Sequence, residues 1–328
     1  MPLKTVHRDP TGQVVLYQIE DRYHQFLEKR FGRRFLDYRR RWRETSERGD
    51  PGPFPLNLDL AINTGCQLSC LMCPLPGLEE GRRVRLMEPE LFRRLMDQAR
   101  EYELPALTLG LGSEPLLHPG AADWIRLAGR AGIMDIRLGT NGLLLKKELI
   151  EALVDGPLTR LEVSVDAARP ATYREIRGGR LELLERSVDL FLETRARAGT
   201  EGPLLRLSFL KLDQNRGELE EFLARWRDRA DLISIQGPIW FPGSRLPRPE
   251  KPGRPLAPAC AQPWQRLAVH HDGRLQPCCS WYGRDLFPSS EVGPDLAAFW
   301  HSPALEELRS RLSAEPADVP AVCRPCEF

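Results

Sequence analysis

The sequence predicts an α/β fold, a parallel sheet with helices outside it, followed by a smaller cysteine-bearing unit. Two observations carry this. From residue 56 to 236, six strand-like stretches alternate with helix-like ones, and repeated β–α units build parallel sheets because each helix returns the chain to start the next strand in the same direction. The eight cysteines fall into two groups, three at 66–73 and five beyond 259, with none between. Scattered core cysteines would not segregate in this way, so the pattern reads as two metal centres. Six β/α units are too few to close an eight-stranded barrel. A partial barrel and an open doubly wound sheet both fit the pattern, although no Gly-rich dinucleotide fingerprint follows the first strand.

In chain order, Thr11-Gly12 is a turn signal between two short segments and reads as a small hairpin. Residues 17–48 are rich in Arg and carry Tyr23, Phe26, Leu27, Phe31, Phe35, Leu36, Tyr38 and Trp42 at helical spacing. One or two helices packed on the outside of the main domain are expected there. Gly49 to Pro55 is a breaker segment that marks the domain entry. Strands are expected over 56–62, 106–110, 134–140, 160–165, 204–212 and 232–236, and helices over 88–102, 121–131, 146–154, 181–198 and 217–229. Residues 237–259, dense in Pro and Gly, form a semi-extended connection along the main domain. A hairpin turning on Asp272-Gly273 follows, then short helices around 295–301 and 303–314. The division is an N-terminal helical extension over 1–55, a main α/β domain over 56–236, a linker over 237–259 and a C-terminal unit over 260–328.

The formal net charge is +1, with acids and bases nearly balanced, which argues for neither a nucleic-acid nor a membrane partner. No apolar run approaches the roughly 20 residues that cross a bilayer, and the first residues lack an apolar signal-peptide core. A cytoplasmic location is expected. Cysteines there stay reduced and are metal ligands more often than disulfides.

The first cysteine group, Cys66-x3-Cys70-x2-Cys73, directly follows the first strand. Three thiolates are one short of a four-cysteine zinc site and an odd number for disulfides. They suit a [4Fe–4S] cluster with one iron left open, with a zinc knuckle or buried thiols as alternatives. The spacing resembles the signature of the radical S-adenosylmethionine (SAM) superfamily. The next strand ends in Gly110-Leu-Gly112-Ser113-Glu114-Pro115, which looks like that family's GGEP motif with Ser113 for the second Gly. Thr140-Asn141-Gly142 ends the third strand like the family's TNG element, and Ser164-Val-Asp166 resembles its SxD strand.

The resemblance selects a partial (β/α)6 barrel of radical SAM type and assigns roles. Cys66, Cys70 and Cys73 would hold a SAM-binding [4Fe–4S] cluster. Met72 would lie beside the adenine, and Gly112, Ser113, Glu114, Pro115, Thr140, Asn141, Ser164, Asp166 and Arg177 would contact SAM, with Glu114 on the ammonium and Arg177 as the carboxylate clamp, a surface salt bridge being the alternative for Arg177. Alternation along a strand puts Ser164 and Asp166 on one face. Ser208 and Lys211 in the fifth strand are similarly placed but weaker candidates, and Asn215, which follows that strand, reads as the start of a turn. The C-terminal text, with Cys260, Cys278-Cys279, Cys323 and Cys326, resembles the twitch or SPASM extensions of this superfamily. Cysteines are too few for the two-cluster SPASM pattern, so Cys260, Cys278, Cys323 and Cys326 are expected to hold one auxiliary [4Fe–4S] cluster, with zinc as the alternative. Cys279 is left over, either a bystander thiol or a hydrogen-atom donor facing the substrate.

What the resemblance implies is reductive SAM cleavage to a 5′-deoxyadenosyl radical, fed by a flavodoxin- or ferredoxin-type donor. The expected use is dehydrogenation of a secondary alcohol, or epimerisation, in a sugar- or aminocyclitol-like small molecule. Trp240, Arg245, His270 and His271 are candidates to line the substrate pocket. Modification of a ribosomally made peptide is the alternative, and a non-catalytic iron–sulfur or zinc protein is the reading of another class.

Overall fold

A computed structural model describes residues 5–8, 14–18, 20–78, 83–247, 260–287, 295–314 and 318–323. Six parallel strands form the centre: β3 (Asn57–Leu60), β4 (Ala106–Leu109), β5 (Asp135–Thr140), β6 (Arg160–Ser164), β7 (Leu204–Leu210) and β8 (Leu232–Gln236). The sheet is not closed. An antiparallel hairpin, β1 (Thr5–Arg8) and β2 (Val14–Gln18), adds to the β8 edge. The C-terminal hairpin, β9 (Arg266–Val269) and β10 (Leu275–Gln276), adds to the other edge, with β9 parallel to β3. Both hairpins expected from the sequence are present, and each extends the sheet at an edge where unpaired strand groups would otherwise stand open.

Alternation along the strands divides the two faces of the sheet. Leu58, Leu107, Ile136, Leu161, Leu207 and Ile233 face outward and are buried under the helices. Those helices are α3 (Pro89–Glu101), α4 (Ala121–Arg130), α5 (Lys147–Val154), α7 (Leu181–Arg197) and α8 (Leu219–Trp226). The opposite face carries Asp59, Thr108, Arg137, Glu162, Arg206 and Ser234, a polar set that a period of two places on one side. The strands curl around this polar side, because the loop after β3 and Gln236 at the end of β8 line the same cleft. That curl is the partial barrel. A short helix not anticipated from the sequence, α6 (Pro170–Arg177), begins on Pro170 and ends on the left-handed Gly178.

The N-terminal helices are placed differently from expectation. α1 (Glu20–Phe31) and α2 (Arg33–Arg48) are separated by Gly32. They pack Tyr23, Leu27, Phe35 and Tyr38 against Leu56, Ala106, Met134, Leu204 and Leu232, residues that begin or immediately precede five of the strands. Instead of lying outside the barrel, they plug its floor. Tyr23 donates to Asp135 Oδ2 at 2.7 Å, and the Arg160 guanidinium, itself 2.9 Å from that carboxylate, lies 4.3 Å above the Tyr23 ring. An open-ended lumen exposes those rim residues, and each large apolar side chain buried on it is worth about 1.5–3 kcal/mol.

Beyond the barrel, α9 (Gln262–Gln265), α10 (Leu296–Trp300) and α11 (Pro303–Ser313) carry the C-terminal unit. Trp264 Nε1 donates to Gly49 O, and Trp300 Nε1 donates to Pro51 O and Gly52 O, so this unit is pinned to the chain entering β3. Most of the linker, 248–259, and Cys326 lie outside the described residues.

Candidate active site

The cleft at the C-terminal ends of the strands holds about 340 Å³. Cys66, Cys70, Met72 and Cys73 line one wall. Their loop is braced from two sides, by α6 and by Arg245. Leu71 N donates to Ile176 O of α6 at 2.8 Å, Arg245 N donates to Leu71 O at 2.8 Å, and the Arg245 side chain donates to Ser69 O. Arg245 is therefore a support of the cysteine loop and not a lining residue as expected. Burial pushes the Cys66 thiol above its usual value and the Cys73 thiol to about 11. Bonding to a cation is what makes such buried sulfurs thiolates at neutral pH. All seven described cysteines are unbridged. Among the described residues, no group of three or more His, Cys, Asp and Glu is arranged to hold a single metal ion.

Opposite the thiols stands Glu114, 2% exposed. Its Oε1 accepts from Thr140 Oγ1 at 2.7 Å and Leu116 N at 3.1 Å, and its Oε2 from Asn141 N at 2.8 Å. Burial raises its pKa above the ordinary carboxylate value, against the lowering effect of these hydrogen bonds. Ser113 Oγ beside it is buried with no hydrogen-bond partner, a cost that a ligand's polar group removes. Gly112 has φ +65°, and a Cβ there would stand 3.1 Å from the Trp281 ring, so the C-terminal unit closes directly over this loop. Pro115, expected among the ligand contacts, does not line the cleft. It starts a short 3-10 turn behind it.

Asn141 links the two walls: its amide pairs with Gln67 at 3.0 and 3.2 Å, and Nδ2 stands 3.7 Å from Cys66 Sγ. Asn63, which the sequence reading passed over, donates to Glu114 O and accepts from Gly65 N, both at 2.8 Å.

Ser164 and Asp166 both line the cleft, but strand alternation is not the reason. β6 ends at Ser164, and Asp166 has φ +61°. Asn215, fully buried, holds that turn by donating to Asp166 O at 2.7 Å, and Leu210 N donates to Asp166 Oδ1 at 2.7 Å. Arg177 pairs with the Asp166 carboxylate and stands 3.7 Å from Cys70 Sγ. The carboxylate-clamp candidate thus already has an internal counter-ion. Ser208 lines the cleft, whereas Lys211, Asn215 and Trp240 line a neighbouring cavity of about 480 Å³. Two more lining residues, Arg137 and Glu162, were not anticipated. Their signal was present in the sequence as a charge alternating with apolar residues in the middle of β5 and β6.

The C-terminal cysteines separate by direction. Cys260, Cys278 and Cys323 line one pocket floored by Leu308 and Leu312. A Cβ on Gly283 would fall 2.4 Å from Cys278 Sγ, so only glycine leaves that sulfur its place. Cys279 points elsewhere. It lines a small cavity with Asn63, Gly112, His270 and His271, with Arg266 Nη1 at 3.8 Å and Gln262 Oε1 at 3.7 Å. Gly112 and Leu75 belong to both this cavity and the main cleft.

Comparison with known proteins agrees with this geometry. Residues 60–224 match the model of the Radical SAM superfamily, and residues 260–327 match an iron–sulfur cluster-binding domain, SPASM. The chain is 30% identical over 178 residues to a probable GTP 3′,8-cyclase of Methanococcus vannielii, 54% of this chain and 56% of the relative. It is 35% identical over 125 residues to the GTP 3′,8-cyclase of Alkaliphilus metalliredigens, 37% of this chain and 38% of the relative. The chain thus spans about half the length of the curated relatives it matches. Among solved structures, Streptococcus suis SuiB bound to precursor peptide SuiA is similar at TM-score 0.65 and 15% identity, over 84% of this chain and 71% of SuiB. BtrN in complex with AdoMet and 2-DOIA is similar at TM-score 0.51 and 13% identity, over 78% and 86%. The cofactors of the two matched domains are [4Fe–4S] clusters and SAM, and no helix among the described residues is long and apolar enough to cross a membrane. With its cysteine loop, its buried Glu114 and its orphan Ser113 hydroxyl on one cleft, this chain belongs to the radical SAM superfamily.

Proposed function

We propose that the protein is a radical SAM oxidoreductase that oxidises a secondary alcohol in a small molecule of sugar or aminocyclitol type, drawing its electron from a flavodoxin- or ferredoxin-type donor. The observation that carries the radical chemistry is the convergence of three thiols, Glu114 and the unpartnered Ser113 hydroxyl on one cleft. Bound at the two cysteine sites, the iron–sulfur clusters and SAM would supply a 5′-deoxyadenosyl radical for hydrogen-atom abstraction and an acceptor for the second electron, the hydroxyl proton leaving to bulk solvent. The residues of the chain bind and orient. Cys66, Cys70 and Cys73 hold one cluster; Cys260, Cys278, Cys323 and Cys326 hold the other. Glu114 and Ser113 take the SAM ammonium, Met72 flanks the adenine, and Thr140 and Asn141 fix the Glu114 carboxylate. Ser164 and Arg177 receive the SAM carboxylate, with Asp166 keeping the guanidinium in place. Trp281 over Gly112 keeps water from the mouth.

A cleft of a few hundred cubic ångströms suits a small molecule, and a single auxiliary-cluster pocket suits a two-electron oxidation. Cys279 faces the cavity that adjoins the cleft, where it serves as hydrogen-atom donor if the outcome is epimerisation. The fold shared with a peptide-bound SuiB favours a peptide substrate as the second reading. The likeness to GTP 3′,8-cyclases covers 54% of this chain, and we take it as support for the radical machinery rather than for the substrate.

The test is a panel of sugars, aminocyclitols, nucleotides and peptides deuterated at candidate positions, incubated anaerobically with enzyme, SAM and dithionite. Deuterium in 5′-deoxyadenosine together with a ketone product is expected from a polyol-type substrate. Transfer from a peptide or nucleotide alone would overturn the proposal.

A further inference from the structure

Below the SAM-binding rim, the floor of the cleft carries a charged triad. Arg137 Nη1 and Arg206 Nη1 each stand 3.4 Å from the same oxygen, Glu162 Oε2. Burial alone would raise Glu162, but the guanidiniums of Arg137, Arg206 and Arg160 outweigh it and hold the carboxyl at about 2. Glu162 is therefore ionised throughout the physiological range and committed to its own arginines, which removes it as a general base.

Arg137 opens on the cleft more than Arg206, whose side chain is 10% exposed and whose Nε is likewise buried with no hydrogen-bond partner. Its only ion partner among the described residues is the oxygen it shares with Arg206, its Nε is buried with no hydrogen-bond partner, and its side chain remains 29% exposed and lines the cleft. A guanidinium presents five N–H donors in a planar fork matched to carboxylate and phosphate. One shared contact leaves most of that capacity unused. Unsatisfied buried donors are costly unless a ligand meets them. Elsewhere in the lining, Ser208 and Gln236 are neutral and suited to hydrogen-bonding the rest of a polar molecule. The cleft carries both signs at each level, with Glu114, Asp166 and Arg177 near the cysteine loop and Arg137 beside Glu162 below, where two guanidiniums share one carboxylate oxygen and leave an excess of positive charge.

We propose that Arg137 anchors the substrate by an oxyanion, a carboxylate or a phosphate, seated on the cleft floor beneath SAM. Arg137 is a specificity residue in this account: it fixes which end of the substrate goes down and so which C–H bond faces the rim. Glu162 competes with the incoming anion and keeps the guanidinium oriented. This inference rests on the reading that substrate and SAM share the cleft.

The test titrates the reconstituted, SAM-loaded enzyme with inorganic phosphate, pyrophosphate and succinate by calorimetry. The wild type should bind at least one of them, and which one binds tells phosphate from carboxylate. R137Q should weaken that binding roughly tenfold or more, and R137K should recover part of it. E162Q, which removes the competing carboxylate, should tighten it, an effect that a general loss of structure cannot produce. Undiminished anion binding by R137Q, weaker binding by E162Q, or no binding by the wild type would overturn the inference. So would loss of the SAM-induced change in the cluster's EPR spectrum in R137Q, which would assign Arg137 to SAM instead. Formation of 5′-deoxyadenosine by the same wild-type preparation separates the two claims: if it forms while anion binding ignores Arg137, only this inference fails.

Discussion

Thr140 and Glu114 are joined at the barrel mouth, Oγ1 to Oε1 at 2.7 Å, so that one carboxylate ties the loop after β4 to the end of the neighbouring strand β5. This bond favours the ionised carboxylate, which burial disfavours, and the net pKa is raised above the ordinary glutamate value. SAM affinity that depends on the Glu114 charge is fully present above that pKa and lost as pH falls through it. Thr140→Val removes one bond that lowers the pKa, so the loss should begin at a higher pH than in the wild type. Measuring the SAM dissociation constant against pH for both proteins checks this, and an unmoved or acid-shifted profile contradicts it. Glu114→Gln should weaken SAM binding by about tenfold or more at neutral pH, the usual scale for a hydrogen bond to a charged group.

Gly283 and Cys278 provide a test of the auxiliary site that spares every cysteine. Gly283→Ala places a methyl 2.4 Å from the Cys278 sulfur. Iron per chain after anaerobic reconstitution should fall from about eight to about four, with the remaining cluster still perturbed by SAM in its EPR spectrum. Full iron loading of the variant would show that Cys278 is not a ligand.

The N-terminal plug makes a prediction about stability. Phe35 is 1% exposed and meets Tyr23 and Tyr38 edge-on beneath the lumen. Phe35→Ala should cost about 3–5 kcal/mol by loss of burial and a residual cavity. Thermal denaturation of the reconstituted protein should show a Tm several degrees lower. An unchanged Tm would mean that the two helices do not support the barrel.

The cysteine loop, the Glu114 loop and the Thr140–Gly142 turn could be read in advance because each is a short contiguous segment placed at the end of a strand. Residues whose role depends on how strands curl were much less legible. Arg137 and Glu162 are single charges in the middle of strands, and only the closing of β5, β6 and β7 around a lumen turns them into a floor. The same holds for α1 and α2, whose aromatic stripe fits any apolar surface; the rim it covers is assembled from five separated segments. Asp166 was placed on the correct wall for an incorrect reason, since a left-handed turn held by Asn215 does what strand alternation was expected to do. Cys278 and Cys279 are adjacent yet line different cavities, and the cavity that Cys279 reaches is formed only when the C-terminal hairpin pairs β9 with β3.

Cys279 separates the two outcomes considered for the substrate radical. Cys279→Ala should leave a dehydrogenation intact and abolish an epimerisation, in the latter case with consumption of SAM continuing and no inverted product. Product analysis by mass spectrometry in deuterated solvent checks this, because epimerisation leaves one solvent-derived deuteron on the substrate and oxidation leaves none. Loss of dehydrogenation in a variant that keeps its full iron content would contradict the assignment.

The central claim is that Cys66, Cys70 and Cys73 present an open iron to SAM, and its most direct test is 5′-deoxyadenosine formation after anaerobic reconstitution and dithionite reduction. The wild type, carrying about eight irons, should form it from SAM, whereas the Cys66→Ala, Cys70→Ala, Cys73→Ala triple variant should keep about four irons and form none. A fully iron-loaded wild type that leaves SAM intact, or a triple variant that still cleaves it, would contradict the account.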